Sequence, residues 1–340
     1  MLLNKHNFRT AIGASAAMLV LILDGKTALA GASEGIGICL NILIPSLFPF
    51  FLLSILLTGA LRGQDIPVLR PVAKLCRIPK GAESLLAIGI LGGYPVGAQN
   101  VALAYQTGLL SNMQAARMIT FCNNAGPAFI FGVLGCMFSS KAVPWLLWII
   151  HIAGALFSGI LLPGGQDCKT ALPPCSNMRL PDALAKAVRT TGLVCGWVII
   201  MRMTLSFLQR WFLWLLPMPL QVAASALLEL AGGCMQLEYI QNEGLRFILA
   251  SAFLSLGGVC ITLQTASVTE GISMHLYFPG KMLQCAVSVL LSCIAQFLFP
   301  VASRCSCGPI AAVFMVILGG SVLSLHYSKN NSGNPAAIGV

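Results

Sequence analysis

The sequence predicts an all-α polytopic membrane protein made of two gate-like repeats with discontinuous or re-entrant helices. Of its 340 residues 57% are hydrophobic and 9% charged, and the apolar residues gather in runs of about twenty, the length of helix that crosses a bilayer core. Two runs are interrupted by polar, glycine and proline residues, LGGYPVGAQN at 91–100 and FCNNAGPAFIFGVLG at 121–135. Leu91-Gly92-Gly93 followed by Gln99 recurs as Leu256-Gly257-Gly258 followed by Gln264 at the same spacing, an internal echo that suggests two halves.

The elements follow in order. Lys5 and Arg9 precede an apolar run from Ala11 to Leu23, and Ala28-Leu29-Ala30 resembles a signal-peptidase site. In a chain that is apolar throughout, this reads as an uncleaved first helix at about 9–30, within an N-terminal segment 1–32. The first repeat, 33–163, holds a stretch at 35–61 interrupted at PSLFP (Pro45 to Pro49), the two broken runs at 84–105 and 115–138, and an unbroken span at 142–163. A polar loop spans 164–187. The second repeat, 188–300, holds apolar segments at 188–216, 220–237, 245–268 and 280–300. A last helix at 309–327 and a polar tail make up 301–340.

The formal charge of +10 does not point to nucleic acid, because the basic residues mostly sit between apolar runs. Arg62, Arg70, Lys74, Arg77 and Lys80 outnumber Asp65 and Glu83, which places loop 62–83 on the cytoplasmic side together with the basic amino terminus. Thirteen cysteines include no CxxC pair, and Cys305 with Cys307 reads as an ordinary loop, so neither metal nor cofactor is expected. No HExxH or GxSxG constellation suggests an enzyme.

Irregular backbone at membrane depth is tolerated only where it is buried in protein or lines a watery cavity, and transporters set their solute between paired interrupted helices. Pro95 and Pro127 lack an amide hydrogen, while Gly93, Gly97 and Gly126 permit unwound backbone. A free helix N-terminus offers N–H groups to a carboxylate and a free C-terminus offers carbonyls to a cation. Tyr94 adds a ring face, and Gln99, Asn100, Asn123, Asn124 and Gln264 add neutral donors and acceptors. With Gly257 and Gly258 these residues form the candidate substrate site. The rival reading makes the amides helix glue and the glycines packing devices.

Charges inside apolar runs are the next candidates. Glu229 in LLELAGGC reads as a proton or sodium carrier, or as an acid paired with Arg202 or Arg117. Arg117 and Arg202 read as attractors of an anion or, Arg117 above all, as snorkelling side chains. Glu270, His275 and Lys281 read as interfacial, and His151 as a helix-packing donor.

These residues carry a resemblance. GYPVGAQ followed by FCNNAGPAFIFGVLG resembles the paired signature of the sporulation integral membrane protein YlbJ family, whose members contain a nucleoside-recognition or gate-type domain. ALAGASEGIGICLNILIPSLFPFFLLSILL, LLELAGGC and SLGGVCITLQTASV are similar to further segments of that family, which usually has a basic residue in place of Gln99. The resemblance implies endospore formation and transport of dipicolinate from the mother cell across the outer forespore membrane. The expectation is therefore an integral protein of a bacterial cell membrane, surrounded by lipid, that moves a small anionic solute with proton or sodium coupling. The alternatives are a nucleoside-type transporter and a non-transporting scaffold of a sporulation complex.

Overall fold

The computed structural model describes residues 5–61, 66–163, 178–298 and 315–316. Apart from 315–316, the expected last helix and tail lie outside the described residues, as do Cys305, Cys307 and 164–177 of the polar loop. Five described helical stretches are long and apolar enough to cross a membrane: Gly25–Leu61, Val143–Leu161, Leu180–Trp211, Glu243–Val268 and Tyr277–Leu298.

Helix α1 (Lys5–Leu23) ends at Asp24, whose carboxylate accepts the Thr27 N–H at 3.4 Å and starts α2 (Gly25–Ile38). The boundary expected at 32/33 therefore falls inside a helix. The interruption expected at PSLFP does not occur either: α2 passes through a π-helical turn, Cys39–Leu43, into α3 (Ile44–Leu61). That wide turn shifts the hydrogen-bond register ahead of Pro45, and Ser46 Oγ donates to the Ile42 carbonyl at 2.6 Å. The helix thus tolerates both prolines.

After α4 (Arg70–Leu75), both expected discontinuities are present. The first run divides into α5 (Ser84–Leu91) and α6 (Val96–Gln106), the second into α7 (Asn112–Phe121) and α8 (Pro127–Gly132). Helix α9 (Val143–Leu161) is continuous.

Helix α10 (Leu180–Trp211) starts eight residues ahead of the expected 188. Pro181 stands in its first turn, and Asp182 there pairs with Arg179 at 2.9 Å. Those first turns are charged, so hydropathy alone reads them as loop. The segment expected at 220–237 is broken at Glu229 into α11 (Met218–Leu228) and α12 (Leu230–Met235). Helices α13 (Glu243–Leu256), α14 (Gly258–Val268) and α15 (Tyr277–Leu298) follow.

The order of a long helix, two interrupted helices and a long helix runs from α2–α3 to α9 and again from α10 to α15. Leu91-Gly92-Gly93 falls in the first interrupted helix of its half, Leu256-Gly257-Gly258 in the second of the other, so the sequence echo is out of register with the element order.

Helices α9, α13 and α15 pack together, and α15 also covers α7. The α2–α3 rod lies along α10. That crossing is close because Gly31 and Gly35 face it: a Cβ on Gly31 would stand 2.6 Å from Ser206 Oγ and 2.8 Å from Met203 Cα, and one on Gly35 2.9 Å from Ile199 Cα. Arg210 completes the seam with a 3.3 Å contact to Asp24. Gly31→Ala is therefore expected to lower the melting temperature of the solubilised protein, because overpacking costs about 1–3 kcal/mol. Gly37→Ala, whose Cβ meets nothing within 4 Å, is expected to leave it unchanged or raise it slightly. Equal melting of the two variants would rule out a tight crossing.

Candidate functional site

The two breaks of the first half meet backbone to backbone. Helix α5 stops at Gly92, and Gly93 takes a left-handed φ of 74° that turns the chain into Tyr94 and Pro95 ahead of α6. Helix α7 stops at Phe121, and five residues pass before Pro127 opens α8. A Cβ on Gly126 would lie 2.9 Å from Gly93 Cα, and one on Gly97 would collide with the Cys122 carbonyl. The glycines thus allow two unwound strands to touch.

The second half holds another pair. Glu229 is extended between α11 and α12, and its carboxylate accepts the N–H groups of Ala231 at 2.7 Å and Gly232 at 2.6 Å. Gly257 and Gly258 separate α13 from α14 with φ of 72° and 74°. A Cβ on Gly258 would come within 2.8 Å of the carbonyls of Ala226 and Leu227, so these breaks also touch. Tyr94 links the pairs by donating its hydroxyl to the Leu254 carbonyl at 3.1 Å.

Three cavities follow one another along the rods α2–α3 and α10. A basin of about 760 Å³ is lined by Lys186, Arg189 and Thr190 of α10, by Thr58 and Gly59 at the end of α3, and by Gln99 and Asn100 of α6. Next comes a crevice of about 50 Å³ at the breaks, walled by Val194 and Val198, by Leu43 and Phe51, and by Gly93, Tyr94, Gly126 and Glu229. The third, of about 430 Å³, is lined by Arg202, Glu34, Asn41, Gly232 and Glu238. At a rise of about 1.5 Å per residue, Lys186 and Arg202 stand roughly 24 Å apart along α10, close to the thickness of a bilayer core. Two wide cavities that carry charged and polar side chains are thus separated by a narrow, mostly apolar one.

Charge differs between the ends. No acid lines the basin among the described residues, and Lys186 and Arg189 make it positive. The third cavity carries Glu34 and Glu238. There Arg202, 2% exposed, pairs through Nη2 with Glu34 and leaves Nε and Nη1 without a hydrogen-bond partner among the described residues.

The structure distributes the sequence candidates unevenly. Gly93, Tyr94, Gly126, Glu229 and Gln264 reach the crevice, as does Phe129, while Gln99 faces the basin and donates to Thr190 Oγ1 at 3.2 Å. Pro95, Gly97, Pro127, Gly257 and Gly258 shape the breaks from behind that lining. Asn123 and Asn124 are buried and turned into the protein. Asn123 Oδ1 accepts from Ala98 N–H at 3.3 Å and its Nδ2 donates to Thr265 Oγ1 at 2.8 Å. Asn124 Nδ2 donates to the Phe121 carbonyl at 2.6 Å, and its Oδ1 accepts from Gln284 Nε2 at 3.0 Å.

Two cations depart from expectation. Arg117 does not snorkel: it is 1% exposed, and its guanidinium gathers the carbonyls of Cys76, Arg77, Gly159 and Leu162. Lys281 is not interfacial: it is 1% exposed and its Nζ donates to the Asn123 carbonyl at 2.6 Å. His151 serves packing, accepting the Ala125 N–H on Nε2 at 3.1 Å.

No family model and no solved structure matches the chain. Sporulation integral membrane protein YlbJ of Bacillus subtilis (strain 168) is 28% identical to it over 202 residues, 50% of this chain and 48% of that protein. The chain spans about half the length of the curated relative it matches. Taken with the motifs at 93–99 and 121–135, this similarity supports assignment of the chain to the YlbJ family, and the five membrane-length apolar helices among the described residues make it an integral membrane protein.

Proposed function

We propose that the protein is a transporter, rather than an enzyme or a scaffold, that moves a small organic anion through the file of three cavities, with dipicolinate as the favoured solute. The observation that carries this reading is the succession of basin, crevice and third cavity along α10, with all four helix breaks gathered at or behind the narrowest point. Broken helices at a constriction are elements that can shift without dismantling a continuous helix. The crevice as it stands has room for one or two waters at about 30 Å³ each, so passage requires the breaks to part.

Charge supports an anion and a direction. The basin opens where α3 runs toward loop 62–83, and its basic residues assign that side to the cytoplasm. A positive vestibule there raises the local concentration of an anion and leaves that of a neutral nucleoside at the bulk value. Glu229, on the crevice wall, is where proton or sodium coupling would act. The relative's name ties it to sporulation; for this chain we accordingly propose a place in the outer forespore membrane and transport of dipicolinate out of the mother cell.

Uptake into proteoliposomes, dipicolinate against uridine, tests the proposal. The double reversal Lys186→Glu with Arg189→Glu is expected to lower dipicolinate uptake about tenfold at low ionic strength and by less at high salt, since exposed charges are screened. Absence of uptake of either solute would favour the scaffold, and preference for uridine would favour the nucleoside reading.

A further inference from the structure

Lys281 stands in the second turn of α15, against the unwound end of α7. Gly280 brings the two helices together, since a Cβ there would lie 2.7 Å from Thr120 Cβ. The ammonium then meets the Asn123 carbonyl at 2.6 Å and Gln284 Oε1 at 2.9 Å, with Asn124 Oδ1 and the Tyr94 hydroxyl each at 3.5 Å. The rings of Tyr94 and Tyr277 flank it, with centroids at 5.3 and 5.9 Å. No Asp or Glu pairs with it among the described residues. Its counter-charge is the negative end of the α7 dipole and a shell of neutral oxygens.

A shell of backbone and amide oxygens at a helix C-terminus, unwound near mid-membrane, is what broken-helix proteins present to a small monovalent cation. We propose that this shell is a monovalent-cation site that the chain fills with its own lysine: Nζ of Lys281 stands where a sodium-class ion would coordinate. It thereby holds the first pair of breaks together with no need for a diffusible cation. The three N–H donors of the ammonium have the Asn123 carbonyl and Gln284 Oε1 as near acceptors and share Asn124 Oδ1 and the Tyr94 hydroxyl as farther ones, and Asn124 Oδ1 also accepts from Gln284 Nε2. Removing the side chain would vacate a cage that keeps its oxygens, and a sodium or methylammonium ion could enter.

The test uses the full chain, purified in detergent, with melting followed by tryptophan fluorescence in choline, sodium or methylammonium chloride at equal ionic strength. The readout is stability, so it stands apart from the transport reading. Wild type is the reference in each salt, so that any sodium bound at Glu229 cancels, and it is expected to gain nothing from methylammonium over choline. Lys281→Ala is expected to melt roughly 5 °C or more lower in choline and to regain about half of that loss, saturably, in sodium or methylammonium. Lys281→Met keeps the stem in the cage without the charge, and is expected to stay low in every salt. Two results would overturn the proposal: either variant melting as wild type, or Lys281→Ala falling equally in all salts. Should Lys281→Ala yield no protein in choline, recovery of yield on preparation in methylammonium supports the cage, and failure in all salts overturns it.

Discussion

Replacing both Asn123 and Asn124 with alanine is expected to cost the protein its folded yield, ahead of any loss of transport. Each amide closes a gap that the helix breaks open. Without Asn123 the Ala98 N–H in the first turn of α6 loses its side-chain acceptor and Thr265 loses a donor; without Asn124 the Phe121 carbonyl and Gln284 Nε2 lose theirs. A buried polar group left unsatisfied costs about 1–3 kcal/mol, so two or three of them cost about 2–9 kcal/mol against a typical total of about 5–15. Asn100→Ala is the control, since its half-buried amide donates to the Val96 carbonyl of its own helix at 2.8 Å. It is expected to melt close to wild type, with the double variant roughly 10 °C lower or absent from the membrane fraction. A double variant that accumulates and melts normally would return both residues to the solute-binding role read from the sequence, where their loss spares the fold.

Those two residues show what the sequence carries and what it does not. The breaks at Gly93–Gly97 and Asn123–Pro127 were legible, because glycine and proline inside an apolar run act on the backbone locally; Pro45 and Pro49 broke nothing, since the π-helical turn absorbs them, and the break at Glu229 was missed. Gln264 was legible as part of the same site, and it is buried on the crevice. Whether an amide faces a solute or a neighbouring helix depends on how α6, α14 and α15 converge on it, and no local pattern encodes that convergence. Lys281 is the clearest miss. A lysine near the start of an apolar segment looks interfacial, yet α15 begins at Tyr277 and the residue is already one turn inside. The available signal was Gln284, three residues on and therefore on the same helix face, in an otherwise apolar stretch. Glu229 was read as a proton or sodium carrier or as an acid paired with Arg202 or Arg117; the structure sets Arg202 near enough to attract it and adds two backbone N–H groups of a helix start that the apolar pattern conceals. Gln99 is neutral, and the basin takes its positive charge from Lys186 and Arg189 of α10.

Filling the crevice is expected to separate transport from stability in the opposite sense to the asparagine variant. Val198 lies on the crevice wall and is 2% exposed, one turn beyond Val194 on the same face of α10. Val198→Phe places a ring into about 50 Å³ of free space. At about 24 cal/mol per Å³, filling such a cavity contributes about 1 kcal/mol, so melting is expected to hold or rise by roughly 2–4 °C. The same ring stands where basin and third cavity must join, and uptake of dipicolinate is expected to fall at least about tenfold. Val188→Phe, on the exposed side of the same helix, is expected to change neither quantity. If Val198→Phe is overpacked and melts low, Val194→Phe repeats the test one turn nearer the basin. A well-folded variant with a phenylalanine at either position and undiminished uptake would mean that solute does not pass between the breaks, and the path would have to be sought elsewhere in the protein.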